Sequence, residues 1–79
     1  MTDAEKRRKG INLAELLLEE AKMFDQEFQH REMALEARYK ALGVLAAMRD
    51  MDLISVSEWR NRVYMAERRM KETETEEGA

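Results

Sequence analysis

The chain has 79 residues, 39% of them charged, so it forms at most one small domain whose core alone leaves its stability marginal. It has no cysteine and one histidine, which excludes a disulfide framework, a thiol nucleophile and a zinc site built only from those two residue types. The absence of proline and the abundance of Glu, Lys, Arg, Leu, Ala and Met predict an all-α fold without strands. Oligomerisation is the remaining way to support so small a core.

The net charge of −3 conceals a pattern along the chain. Basic residues are in excess in residues 1–10 and 38–71, and acidic residues are in excess in 11–37 and 72–79. Opposite charge in successive blocks suits antiparallel packing of one segment on another, or of one chain on its copy; solvated helix faces with an accidental imbalance would give the same pattern. The amino terminus leads into no apolar stretch of signal-peptide or membrane-span length, so we expect a cytoplasmic protein that makes no membrane contact.

The first element in chain order is predicted to be a basic flexible leader, residues 1–11, which closes at Gly10. Asn12 and Glu15 have the N-x-x-E spacing of a capping box, in which each side chain accepts a backbone N–H at the other end of the first turn. The first helix is therefore predicted to begin near Asn12.

The apolar residues that follow fall at steps of three, four and seven, which predicts one long first helix over about 12–50. Such a helix would be about 58 Å long at about 1.5 Å per residue, too long for a compact monomer of this size. Either it breaks, in the polar stretch 25–32 or at Gly43, or it protrudes and contacts a second chain.

A turn is predicted at 51–54, because Ser55 followed by Glu58 is a capping box in its S-x-x-E form. A second helix should run from Ser55 to about residue 71, ahead of an acidic disordered tail at 72–79. The domain is thus a helical hairpin, residues 12–71. The apolar stripe of its second helix consists of Val56, Trp59, Val63, Ala66 and Met70.

Residues 39–70 resemble the short helical hairpins grouped as SHOCT-like domains, which occur at the ends of bacterial proteins and as small proteins of phages and other mobile elements. The family usually carries glycine at the position of Asp52, where the turn is left-handed, and Asp tolerates that backbone better than most residues. The resemblance implies an oligomerising or partner-docking hairpin without catalytic residues. It rests on a helix rich in Leu and Met followed by Leu53, Ile54, Ser55, Glu58 and Trp59.

The leucine-rich amino half of the first helix exceeds what a second helix of about 17 residues can cover. We therefore expect a non-enzymatic protein–protein interaction or oligomerisation module, most simply a homodimer. Trp59 is expected in the core, although a partner-binding tryptophan would instead stay exposed. The expected hairpin core is Leu35, Tyr39, Leu42, Leu45, Val56, Trp59 and Val63, and the expected partner-binding residues are Leu13, Leu16, Leu17, Phe24 and Phe28.

Catalysis is not expected, because Ser55 and Ser57 have no base near in sequence and no glycine-rich phosphate loop is present. No catalytic, cofactor-binding or metal site is assigned. Glu27 and His30 make one Glu-x-x-His step, which could bind metal only across a dimer, and a solvated surface histidine is the simpler interpretation.

The alternative function is that of a small DNA-associated or host-directed regulator that uses an arginine-rich second helix. The acidic pI of about 5.2 weighs against nucleic-acid binding, for which a domain pI above about 9 is typical. The candidate phosphate contacts are Arg60, Arg62, Arg68 and Arg69.

Overall fold

The computed structural model describes residues 2–27 and 29–78, with the side chains through Arg68. The chain forms three helices, α1 (Asp3–Gln26), α2 (Arg31–Asp50) and α3 (Val56–Gly78), and the described residues contain no strand. The all-α prediction is confirmed. The prediction of a single long first helix is wrong, because the polar stretch between Gln26 and Arg31 interrupts it, whereas Gly43 lies inside α2.

Helix α1 begins at Asp3, nine residues ahead of the predicted start, so residues 3–11 are helical and the prediction of a flexible leader is wrong for them. Thr2 is the N-cap, and its Oγ1 accepts a hydrogen bond from the backbone N–H of Glu5 at 3.2 Å. Asp3 and Glu5 place negative charge in the first turn, where the helix dipole favours it. Gly10 therefore lies within a helix and does not end a leader.

Helices α1 and α2 form an antiparallel pair. Their interface is lined by alanines. Gly10 has no room for a side chain there, since a Cβ at Gly10 would lie 2.5 Å from Met48 Sδ. Near the other end of the pair, Arg38 of α2 donates to Asp25 of α1, and their side chains are only 10% and 6% exposed. The buried alanines, which we call the alanine seam, are Ala14, Ala21, Ala34, Ala37 and Ala41.

Helix α2 ends in a Schellman motif, and this motif sets the direction in which the chain leaves the helix. The N–H of Leu53 donates to the carbonyl of Met48 at 2.9 Å, and the N–H of Asp52 donates to that of Arg49 at 3.1 Å. Asp52 has φ 59°, in the left-handed region that the resemblance implied for this position. The backbone N–H of Glu58 then donates to Ser55 Oγ at 3.0 Å, which confirms the predicted start of the last helix.

Helix α3 runs parallel to α1. Glu58 of α3 contacts Arg7 of α1, and further along both helices Arg62 lies near Glu15. It continues to Gly78, whereas the sequence predicted a helix end near residue 71 and a disordered tail at 72–79. Glutamate is a good helix former, so the acidic sequence is compatible with a continued helix.

The main apolar cluster lies where the three helices meet. Trp59 and Val63 are half-buried against it, and Leu45 is the largest side chain that is fully buried. Two residues expected in the core are instead exposed, Tyr39 by 66% and Val56 by 54%, because each points away from the helices that pack on its own. The cluster consists of Ile11, Ala14, Leu45, Met48 and Ile54.

Candidate interaction surface

One face of α1 carries large apolar side chains that no other helix covers. Leu13 is 46% exposed, Leu16 61% and Met23 39%, and Lys9 and Glu20 are exposed between and beside them. The five positions follow one another at steps of four, three, four and three, so they lie on the same side of the helix. We call this set the outer α1 surface; the opposite side, with Ile11, Ala14 and Ala21, packs inward.

The predicted partner-binding residues divide between that surface and its edge. Leu13 and Leu16 lie on the outer α1 surface, whereas Leu17 and Phe24 are half-buried beside the α2 interface. The ring of Phe24 lies edge-on to that of His30, with centroids 6.5 Å apart. Phe28 lies outside the described residues.

Met23 is a member of the surface that the sequence analysis missed. It follows Leu16 by seven residues, the spacing that returns to the same side of a helix after two turns. The sequence contains that spacing, but the predicted partner-binding residues include the neighbouring Phe24 in place of Met23.

Glu58 is the electrostatic centre that holds α3 on α1. Its carboxylate accepts two hydrogen bonds from Arg7, at 2.9 and 2.7 Å, and one from Arg62 Nε at 3.0 Å. The hydrogen bond from Arg7 is the largest cause that lowers the pKa of Glu58, and Arg62 adds to it against the opposing effect of burial. This cluster positions the amino end of α3.

Trp59 lies beside that cluster, in the next position of the helix. The guanidinium of Arg49 stacks 4.1 Å from its ring centroid, and its indole Nε1 is buried without a hydrogen-bond partner among the described residues. The ring is half-buried against the apolar cluster, which is the core position that the sequence predicted.

Of the candidate nucleic-acid residues, Arg60 and Arg62 lie on different sides of α3. Arg62 pairs with Glu58 at 3.0 Å and lies 3.8 Å from Glu15. Arg60 is exposed, but at about 100° per residue it lies about 200° around the helix from Arg62. Arg68 is exposed and has an interaction of its own, and the side chain of Arg69 lies outside the described residues.

A cleft of about 270 Å³ opens between α1 and α3. Its floor is apolar, with Leu18 and Leu45, and its rim carries Glu15, Arg62 and Met65. Arg62 already pairs with Glu58 within α3 and lies 3.8 Å from Glu15 of α1, so this cation of the rim is engaged by carboxylates of the chain itself.

Groups that could support chemistry are sparse in the part of the chain that the structure describes. There, no three His, Cys, Asp or Glu side chains come together as a metal site. His30 is exposed at the start of α2 and its side chain makes no capping bond. Ser55 serves as a helix cap. None of the described helices combines the length and apolar character required to cross a bilayer.

Comparison with known proteins gives no relative for this chain. No protein-family model matches it, no curated protein matches it, and no solved structure matches it. The resemblance to SHOCT-like hairpins therefore stays a prediction.

Proposed function

We propose that the protein is a non-enzymatic oligomerisation or protein-interaction module, and that the outer α1 surface is the face that binds. The observation that supports this most directly is the exposure of Leu13 and Leu16, by 46% and 61%, in the middle of a regular helix. Fully burying a leucine contributes about 1.5–3 kcal/mol, so covering the exposed half of each gives about 1–1.5 kcal/mol per residue. Four leucines from two chains would then supply most of the apolar contribution.

The size of this surface favours moderate affinity. Association opposes such a gain with the loss of translational and rotational freedom, which amounts to several kcal/mol. A single helix face with two leucines and a methionine per chain therefore suits a reversible dimer that dissociates on dilution. A small core also benefits directly, because association stabilises the folded form by mass action.

The alternative of a DNA-associated or host-directed regulator has weaker support. Its arginines would have to contact phosphates together, yet Arg62 is engaged by Glu58 and Arg60 faces another direction. A DNA complex whose affinity falls steeply with salt would favour that alternative over the module.

Size-exclusion chromatography with light scattering tests the proposal. We expect the wild-type chain to dimerise increasingly as its concentration rises into the range of hundreds of micromolar. The double variant Leu13→Ser with Leu16→Ser should be monomeric and keep its helical circular dichroism. Met51→Ser is the matched control, because Met51 is 59% exposed but lies in the turn after α2, and it should leave the dimer unchanged. A wild-type chain that stays monomeric at several hundred micromolar would refute the proposal.

A further inference from the structure

The outer α1 surface has a self-complementary order of side chains. Its central four positions are Lys9, Leu13, Leu16 and Glu20, at steps of four, three and four residues. The spacing is the same in both directions along the helix, while the charge at the two ends is opposite. At about 100° per residue, the four side chains fall within about 60° of arc on α1.

The two charged members of this set make no ion pair within the part of the chain that the structure describes. Lys9 and Glu20 have no ion-pair partner among the residues that the structure describes, whereas Lys40 pairs with Glu36 one turn away at 3.3 Å. Contacts of α1 with α3 involve Arg7 and Glu15, which lie on another side of the helix. The four central positions are therefore free for another molecule.

An antiparallel copy of α1 matches every one of these positions. When the two helices cross midway between residues 14 and 15, Leu13 of one copy faces Leu16 of the other, and this contact occurs twice. Lys9 of each copy then faces Glu20 of the other, so two ion pairs flank four leucines. In a parallel arrangement, Lys9 would face its own equivalent and Glu20 would face its own, which places like charges together at both ends.

The residues one turn further out are compatible with the same arrangement. Lys6 precedes Lys9 by three residues and Met23 follows Glu20 by three, so the antiparallel copy sets Lys6 opposite Met23. Both side chains are exposed, and the methylene stem of a lysine can cover a methionine while its ammonium group stays in water.

We propose that two copies of the chain associate through antiparallel α1 helices, with Leu13 packed on Leu16 and Lys9 paired with Glu20 across a twofold axis. This inference rests on the proposed function, since it assigns the partner and the orientation of the same surface. The interface is isologous, so each single substitution alters two contacts of the dimer.

A charge-exchange cycle tests the orientation. Lys9→Glu and Glu20→Lys each turn both flanking attractions into repulsions, so each should weaken dimerisation by about tenfold at low salt. The double variant Lys9→Glu with Glu20→Lys restores opposite charges and should return the dissociation constant to within about twofold of wild type. In a parallel dimer, all three variants would resemble wild type, because like charges would face each other in every case.

Lys22→Glu is the matched control, since it makes the same change of charge on α1 at an exposed position outside the surface. Sedimentation equilibrium measures all the dissociation constants, and far-UV circular dichroism checks that each variant is folded. A wild-type dimer that the single exchanges leave unchanged, or that the double exchange fails to restore, overturns the antiparallel pairing and leaves the oligomerisation proposal standing. A monomeric wild type overturns both.

Discussion

The closest approach of α1 and α2 gives the sharpest stability prediction, because the chain offers two helical glycines in opposite surroundings. Replacing a glycine inside a helix by alanine stabilises by about 0.5–1 kcal/mol when the new methyl group meets nothing. At Gly43 no atom lies within 4 Å of the added Cβ. We therefore expect Gly43→Ala to stabilise the protein by that amount.

At Gly10 the same Cβ would meet Met48 Sδ at 2.5 Å, Cε at 2.9 Å and Cγ at 3.1 Å. Reaching an ordinary contact of about 3.5 Å requires Met48 to move by about 1 Å. Met48 is only 3% exposed, so its end has little room, and overpacking of this kind costs about 1–3 kcal/mol. After the gain in helix propensity, Gly10→Ala should be destabilising by about 0–2 kcal/mol.

The two variants should be compared by thermal and urea unfolding at one fixed protein concentration, followed by circular dichroism at 222 nm. Their free energies of unfolding should differ by about 1–3 kcal/mol, or at least about 4 °C in Tm for a domain of this size. Combining Gly10→Ala with Met48→Val removes the two nearest atoms and should recover most of the difference. If Gly10→Ala stabilises as much as Gly43→Ala, the two helices do not approach closely at this point.

Three further predictions concern charge and backbone. Asp25→Asn leaves the buried Arg38 without its counter-charge and should lower the free energy of unfolding in urea by about 3–5 kcal/mol. Replacing both residues, Asp25→Leu with Arg38→Met, should be much less destabilising. A double variant no more stable than the single one would contradict this. Glu58→Gln should cost about 0.5–1 kcal/mol at pH 7. Because Arg7 lowers the folded-state pKa of Glu58, that contribution is present above the pKa of the unfolded chain and is lost as the pH falls through the lower folded pKa. Acid titration of both proteins should therefore bring their stabilities together, and a constant difference would exclude the linkage. Asp52→Gly should raise the free energy of unfolding by about 1 kcal/mol, because glycine adopts the left-handed backbone without strain, and a lower Tm would argue against that geometry.

The sequence predicted those features of the fold that depend on residues close together in the chain. The helix-forming composition and the cap at Ser55 each depend on residues a few positions apart, and the structure has both the all-α fold and the cap. The break in the polar stretch was only one alternative to the continuous first helix that the sequence predicted. The exposed leucines of α1 were also foreseen, because a second helix of limited length cannot cover them. Their use by a partner stays a prediction.

The features that were missed depend on contacts between residues far apart in the chain. Gly10 looked like a helix terminator, although its lack of a side chain makes room for Met48, 38 residues away. Arg38 carries a charge that usually stays in water, although here it is buried with Asp25. The spacing of residues along one helix cannot reveal either pairing, because each depends on which face of α1 packs against which face of α2.

The alanine seam limits which substitutions this sequence can accept during evolution. The five alanine methyl groups let the backbones of α1 and α2 approach closely, so a larger side chain at any of these positions forces the two helices apart. In saturation mutagenesis, we therefore expect large side chains to be destabilising at the seam positions of α1 and α2 and to be tolerated better on the exposed faces of the same helices. Related sequences should therefore keep small residues at these five positions more strictly than they keep the charged residues of the exposed helix faces.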